Sequence, residues 1–300
     1  MTEQDSPEAG PARPTAASPT TPHRPIDLPP FPAVATSLLA LIRRGDTGLT
    51  EVAELVATDA AVSVDILRVA NNAVYGTARP VTNLHEAVVR LGLERVAGLA
   101  LAVCLRQFAG RAFKSLEVYA CWRHSLACAL TAEQVASAIG GQARDAYTFG
   151  LLHDVGRLAL LAARPGEYVA VLRKMETCQH RDQLVCEREA MGTDHCEMGR
   201  VLLAHLHLDA AFQEVAAYHH QTPPDGTSPW VARIGMACQL ADLFGFRAVH
   251  LPRLPEEPGA TFERIVEPLG PILRQRLIER QQPLAETVTA LVDAFSGLVL

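Results

Sequence analysis

Residues 96–105, VAGLALAVCL, present no charged or hydrogen-bonding side chain on any face. A helix that is apolar all round has to be buried, and this stretch is about half of the roughly 20 residues that a bilayer crossing needs. It therefore requires a fold in which other helices surround it. The chain is rich enough to supply them: 49% of its 300 residues are hydrophobic, yet only 5% are aromatic. That balance suits close-packed helices of alanine, leucine and valine better than a sandwich of aromatic and branched strands, so an all-α fold is expected.

Helical periodicity and its stop signals divide the chain. Residues 1–25 contain no Ile, Leu, Val, Phe, Trp or Tyr, cannot offset the entropy of ordering, and read as a disordered tail. Val34, Leu38, Leu41 and Ile42 then recur at threes and fours up to Gly45. Thr50, with Glu51 and Glu54, opens a short helix, and Asp59 caps another whose inner face is Val62, Ile66 and Val69. Asn71 and Asn72 either end that helix or pack against the second half of the chain. Further helices are expected over residues 84–91, 94–108 and 115–139, the last with Trp122, Leu126, Ala129 and Val135 turned inward. One continuous helix follows from Asp145 to about residue 161, then others over 167–177, 195–204, 213–220 and 231–244. Residues 251–300 hold two or three amphipathic helices. Their last segment, ETVTALVDAFSGLVL, points to a docked or intermolecular contact, through which a homodimer could form; the alternative is an ordinary C-terminal core helix.

Charge and cysteine usage exclude several roles. A net charge of -6 without any basic run argues against duplex nucleic acid as a partner. There is no basic segment followed by an apolar one at the start and no membrane-length stretch, so a cytoplasmic protein without membrane contact is expected. The seven cysteines are odd in number and contain no CxxC pair, which indicates reduced thiols rather than a disulfide framework or zinc ribbon. Cys121 and Cys128 read as core filling.

The histidines carry the chemistry. His124, the pair His153-Asp154, His195, the pair His219-His220, and Asp242 each fall on or at the end of a different expected helix. Imidazole nitrogen and carboxylate oxygen suit one or two divalent cations such as Fe, Mn, Zn or Ni. Neighbouring residues on a helix point about 100° apart, so both members of His153-Asp154 reach a metal only in a crowded site, where the aspartate can bridge two cations. The bland alternative is an aspartate capping a helix beside a histidine bonded to a carbonyl. His205 and His207, two residues apart, stay outside the set.

The order H…HD…H…HH…D, with the phrases WRHSLACAL, GLLHDVGRLAL, DHCEMGRVLLAHLHL, AYHH, DILRVANNAVYG and AVVRLGLERV, resembles the HDOD domain, the HD-related output domain of bacterial signalling proteins. The resemblance covers residues 27–245. It implies a two-lobed all-α fold, with an N-terminal helical lobe over 27–112 packed on an HD-type core over 115–245. It implies metal binding by His124, His153, Asp154, His195, His219, His220 and Asp242, the positions that ligate in active HD-GYP relatives. It also implies a regulatory module that senses a nucleotide second messenger or docks on another signalling protein. The alternative is a metal-dependent phosphohydrolase in which His153, Asp154 and Asp242 hold the metal, water attacks, and Arg157 or Arg123 binds phosphate. Departures argue against a cyclic dinucleotide phosphodiesterase: Arg157 stands where those enzymes carry lysine, the HHQTPPDGTSPW loop lacks their tyrosine, and Ala120 replaces a third-metal carboxylate.

Overall fold

The computed structural model describes residues 26–44, 48–75, 79–110, 115–177, 182–249 and 258–296. The expected disordered tail, Gly45, Gly76 and Cys178 lie outside them. Among the described residues the regular structure is helical throughout, with no strand.

The first lobe consists of α1 (Ala33–Arg44), α2 (Leu49–Ala57), α3 (Ala60–Ala70), α4 (Leu84–Leu91) and α5 (Leu93–Ala109). Asp59 caps α3 as expected, its carboxylate accepting from the Ala61 and Val62 amides. Asn71 ends α3, but its side chain turns to the loop before α4 and not to the second lobe. There it pairs with both backbone groups of Val81, at 2.7 and 2.9 Å, as one strand would with another. The apolar helix α5 is the central beam, with residues 96–105 all buried. It packs against α1 to α4 on one side and against the second lobe on the other.

The second lobe comprises α6 (Leu116–Ile139), α7 (Ala143–Leu152), α8 (Val155–Ala163), α9 (Pro165–Thr177), α10 (Gln183–Met191), α11 (His195–His205), α12 (Ala210–Tyr218) and α13 (Pro229–Leu243). The buried indole of Trp122 on α6 donates to the Ala102 carbonyl of α5 at 3.0 Å, tying the lobes together. Three more helices, α14 (Pro258–Val266), α15 (Pro271–Ile278) and α16 (Gln281–Ser296), fold back on α13 and α6. The residues that suggested an intermolecular contact, Val288, Leu291, Val292 and Phe295, are buried within the chain itself.

One expectation about the helices fails in an informative way. The continuous helix through the His-Asp pair is two helices, with His153 and Asp154 forming the turn between α7 and α8. The apolar pattern of Leu151, Leu152, Val155 and Leu158 continues across the turn because both helices face one core, so periodicity alone cannot detect the break. A helix absent from the sequence reading, α10, fills the interval before His195.

Candidate metal centre

The turn answers why histidine and aspartate stand side by side. At Asp154 the backbone leaves helical geometry (φ -110°, ψ 20°), which frees both side chains from the 100° divergence of a helix. Asp154 precedes the first residue of α8, yet its carboxylate accepts no capping hydrogen bond from that helix. Its Oδ2 accepts from Arg157 Nε at 2.8 Å, whereas its Oδ1 is buried without a hydrogen-bond partner. Asp154 therefore turns one oxygen toward His195 and His219, while Arg157 engages the other.

Around that oxygen lie the imidazoles. His195 Nε2 is 3.5 Å and His219 Nε2 3.8 Å from Asp154 Oδ1. The rings form a continuous series, with centroid separations of 5.3 Å for His124 and His153, 4.8 Å for His153 and His219, 4.2 Å for His219 and His220, and 5.1 Å for His220 and His195. Four of these rings are fixed from behind. Nδ1 of His153 contacts the Gly150 carbonyl at 2.7 Å, that of His219 the Ala216 carbonyl at 3.0 Å, that of His124 the Phe246 carbonyl at 2.6 Å, and that of His195 the Glu187 carboxylate at 2.6 Å. In a neutral ring, an Nδ1–H donated to an oxygen leaves Nε2 as the lone-pair nitrogen, the form that ligates metals.

Two of the inward atoms, His153 Nε2 and His219 Nε2, are buried and unpartnered, like Asp154 Oδ1. An orphaned buried polar atom costs about 1–3 kcal/mol, so Asp154 Oδ1 and His219 Nε2, 3.8 Å apart, describe a cation site, and His153 Nε2 is a further candidate ligand beside His124. Ligand atoms group into two sets, each with mutual separations within 4.8 Å: His195, His219 and His220, and His124, His153 and Cys238. His220 is exposed and forms the open edge of the first set.

Electrostatics match this purpose. Burial pushes His153 down to about 4 and His219 well below the ordinary histidine range, so both rings stay neutral. Burial would raise Asp154, but Arg157 and then His195 hold it below the usual carboxylate range. His195 behaves differently. Burial and the Arg157 charge pull it down, while Glu187, Cys196 and Asp154 outweigh them and lift it to about 10. A cation taken up at its Nε2 would displace a proton.

Not every expected residue reaches the centre. Asp242 lies behind His124, 3.3 Å from Nδ1 and not on the Nε2 side. Cys238, one turn earlier on α13, takes the inner place, with Sγ 3.4 Å from His124 Nε2. Arg157 is not available to phosphate: it is 1% exposed and donates to Asp154, Glu187 Oε1 (2.9 Å), Gln183 Oε1 (2.8 Å) and the Tyr168 hydroxyl (3.0 Å). Arg123 is also engaged, by Asp293 of α16 at 2.6 Å and by the face of Phe246. Glu187, which no motif or spacing in the sequence singles out, is fully buried on α10. One of its oxygens holds both the backbone N–H and Nδ1 of His195, and the other binds Arg157 and Tyr168.

The model of the HDOD domain matches residues 28–222. The chain belongs to the HDOD family. This HDOD chain is 26% identical over 217 residues to an uncharacterized protein of Treponema pallidum (strain Nichols), covering 70% of the chain but 41% of that relative's length. It thus spans about two fifths of the curated relative it matches. Its fold is similar to that of an HDOD domain protein with unknown function from Geobacter sulfurreducens (TM-score 0.70, 22% identity, 90% of this chain and 94% of that one). It is also similar to a protein from Shewanella amazonensis SB2B provisionally described as a phosphohydrolase (TM-score 0.66, 21% identity, 88% and 95%). Among the described residues of the HDOD chain, no helix is long and apolar enough to cross a membrane.

Proposed function

We propose that this HDOD chain is a signal-transduction module whose conformational state is set by a divalent cation held by Asp154, His195, His219 and His220. The observation that carries the reading is that two buried, unpartnered atoms, His219 Nε2 and Asp154 Oδ1, lie 3.8 Å apart, with His195 Nε2 3.5 Å from the same oxygen. Arg157 supports a regulatory role over a phosphohydrolase, because this candidate phosphate anchor is buried and already held by two carboxylates within the fold. Occupancy would be felt widely. Asp154 leads through Arg157 to α9, α10 and α11, and the His124 contact with Phe246 adjoins the Arg123–Asp293 pair on α16. Another signalling protein or a nucleotide second messenger would read that state.

Chelation tests the proposal. Stripping divalent metal from the purified chain should lower its melting temperature on the order of 5 °C or more, and re-addition of Mn²⁺ or Zn²⁺ should restore it. Hydrolysis of cyclic dinucleotides and simple phosphate diesters should be no faster than for His153→Ala. Turnover abolished by His153→Ala would establish the phosphohydrolase instead. Absence of metal, with a melting temperature indifferent to chelator, would leave a metal-free scaffold.

A further inference from the structure

The two ligand sets differ in chemistry. One is three imidazoles with the Asp154 carboxylate beside them; the other is His124 and His153 with a thiol, Cys238. We infer that His124, His153 and Cys238 form a separate, thiophilic cation position, in which Cys238 ligates and selects Zn²⁺ or Co²⁺ over Mn²⁺. This rests on the cation-binding reading above and adds a ligand and a selectivity to it.

Three observations point the same way. Cys238 is 4% exposed, so it is enclosed with the two rings. His153 Nε2 is buried, lacks a hydrogen-bond partner and belongs to this set. Asp242, the carboxylate expected as ligand, is turned instead to the far side of His124, where it adjoins Nδ1 as a carboxylate behind a ligating imidazole does. The result is an N₂S donor set with its own supporting carboxylate. Sulfur ligands favour zinc and its spectroscopic substitute cobalt, while manganese prefers oxygen, so the two positions should sort cations by softness. An open fourth place would remain for water or an incoming ligand.

Cobalt substitution provides the test. The full chain, stripped and reloaded with Co²⁺, should show a near-ultraviolet thiolate-to-cobalt charge-transfer band. Cys238→Ser should lose that band and weaken Zn²⁺ binding roughly tenfold or more, while Mn²⁺ affinity changes less than about twofold, since oxygen-preferring ions do not depend on the thiol. Cys196→Ser, which alters the other thiol near the rings, should keep the band. Bound Co²⁺ without the band, or a band that survives Cys238→Ser, overturns the thiol position and leaves the cation reading intact. No bound Co²⁺ at all removes both. Native-like circular dichroism and retained Mn²⁺ binding by Cys238→Ser separate a lost ligand from a lost fold.

Discussion

Gly156→Ala is expected to destabilise the chain by about 3 kcal/mol and to disrupt metal binding with it. A methyl group at position 156 would stand 1.9 Å from the His195 carbonyl oxygen and 2.6 Å from the Gly199 amide nitrogen. Both are backbone atoms, so no rotamer change relieves the overlap and the α8–α11 crossing must open. The crossing sets the position of His195 relative to Asp154, two residues before the glycine. Stability and ligation therefore fail together. Thermal or urea unfolding measures the first, with a loss on the order of 10 °C, and metal content measures the second. Gly166→Ala is the control, because nothing lies within 4 Å of its added carbon; it should change stability by no more than about 1 kcal/mol. A Gly156→Ala chain as stable as the parent would show that α8 and α11 do not meet as described.

Arg157→Met should cost about 3–5 kcal/mol in the metal-free chain. Arg157 is 1% exposed and neutralises two carboxylates that are themselves buried, Asp154 at 1% and Glu187 at 0% exposure. Methionine fills comparable volume but leaves those charges uncompensated. A bound cation beside Asp154 would supply part of the missing positive charge, so the variant should be rescued by metal more than the parent is. The measurement is denaturant unfolding with chelator and with saturating Mn²⁺, and the gap between the two should be wider for Arg157→Met. Arg123→Met removes an ion pair whose aspartate is 59% exposed, and its effect should be on the order of 1 kcal/mol. Equal penalties for the two arginines would contradict the buried network.

The sequence is most informative where local chemistry decides. The apolar helix α5, the Asp59 cap and the long helix α6 are all recognisable from spacing and end signals, and so is the ordered series of histidines. It is least informative where tertiary packing decides. The turn at His153-Asp154 is hidden because the hydrophobic period runs through it. Helix α10 is hidden because its most consequential residue, Glu187, is a carboxylate placed in the core, the reverse of what an apolar stripe reports. Cys238 carries no motif of its own. The available signal is its spacing of four residues from Asp242, which puts both on one face of α13 and makes the level of the helix, a tertiary property, choose between them.

The site itself can be seen directly. Crystals of the full chain soaked in Mn²⁺ and measured for anomalous scattering should show a peak at coordination distance from Asp154 Oδ1 and from the Nε2 atoms of His195 and His219. A map without a peak there, at a Mn²⁺ concentration that loads other manganese proteins, or ordered water hydrogen-bonded to those same atoms, would contradict a cation centre in this fold.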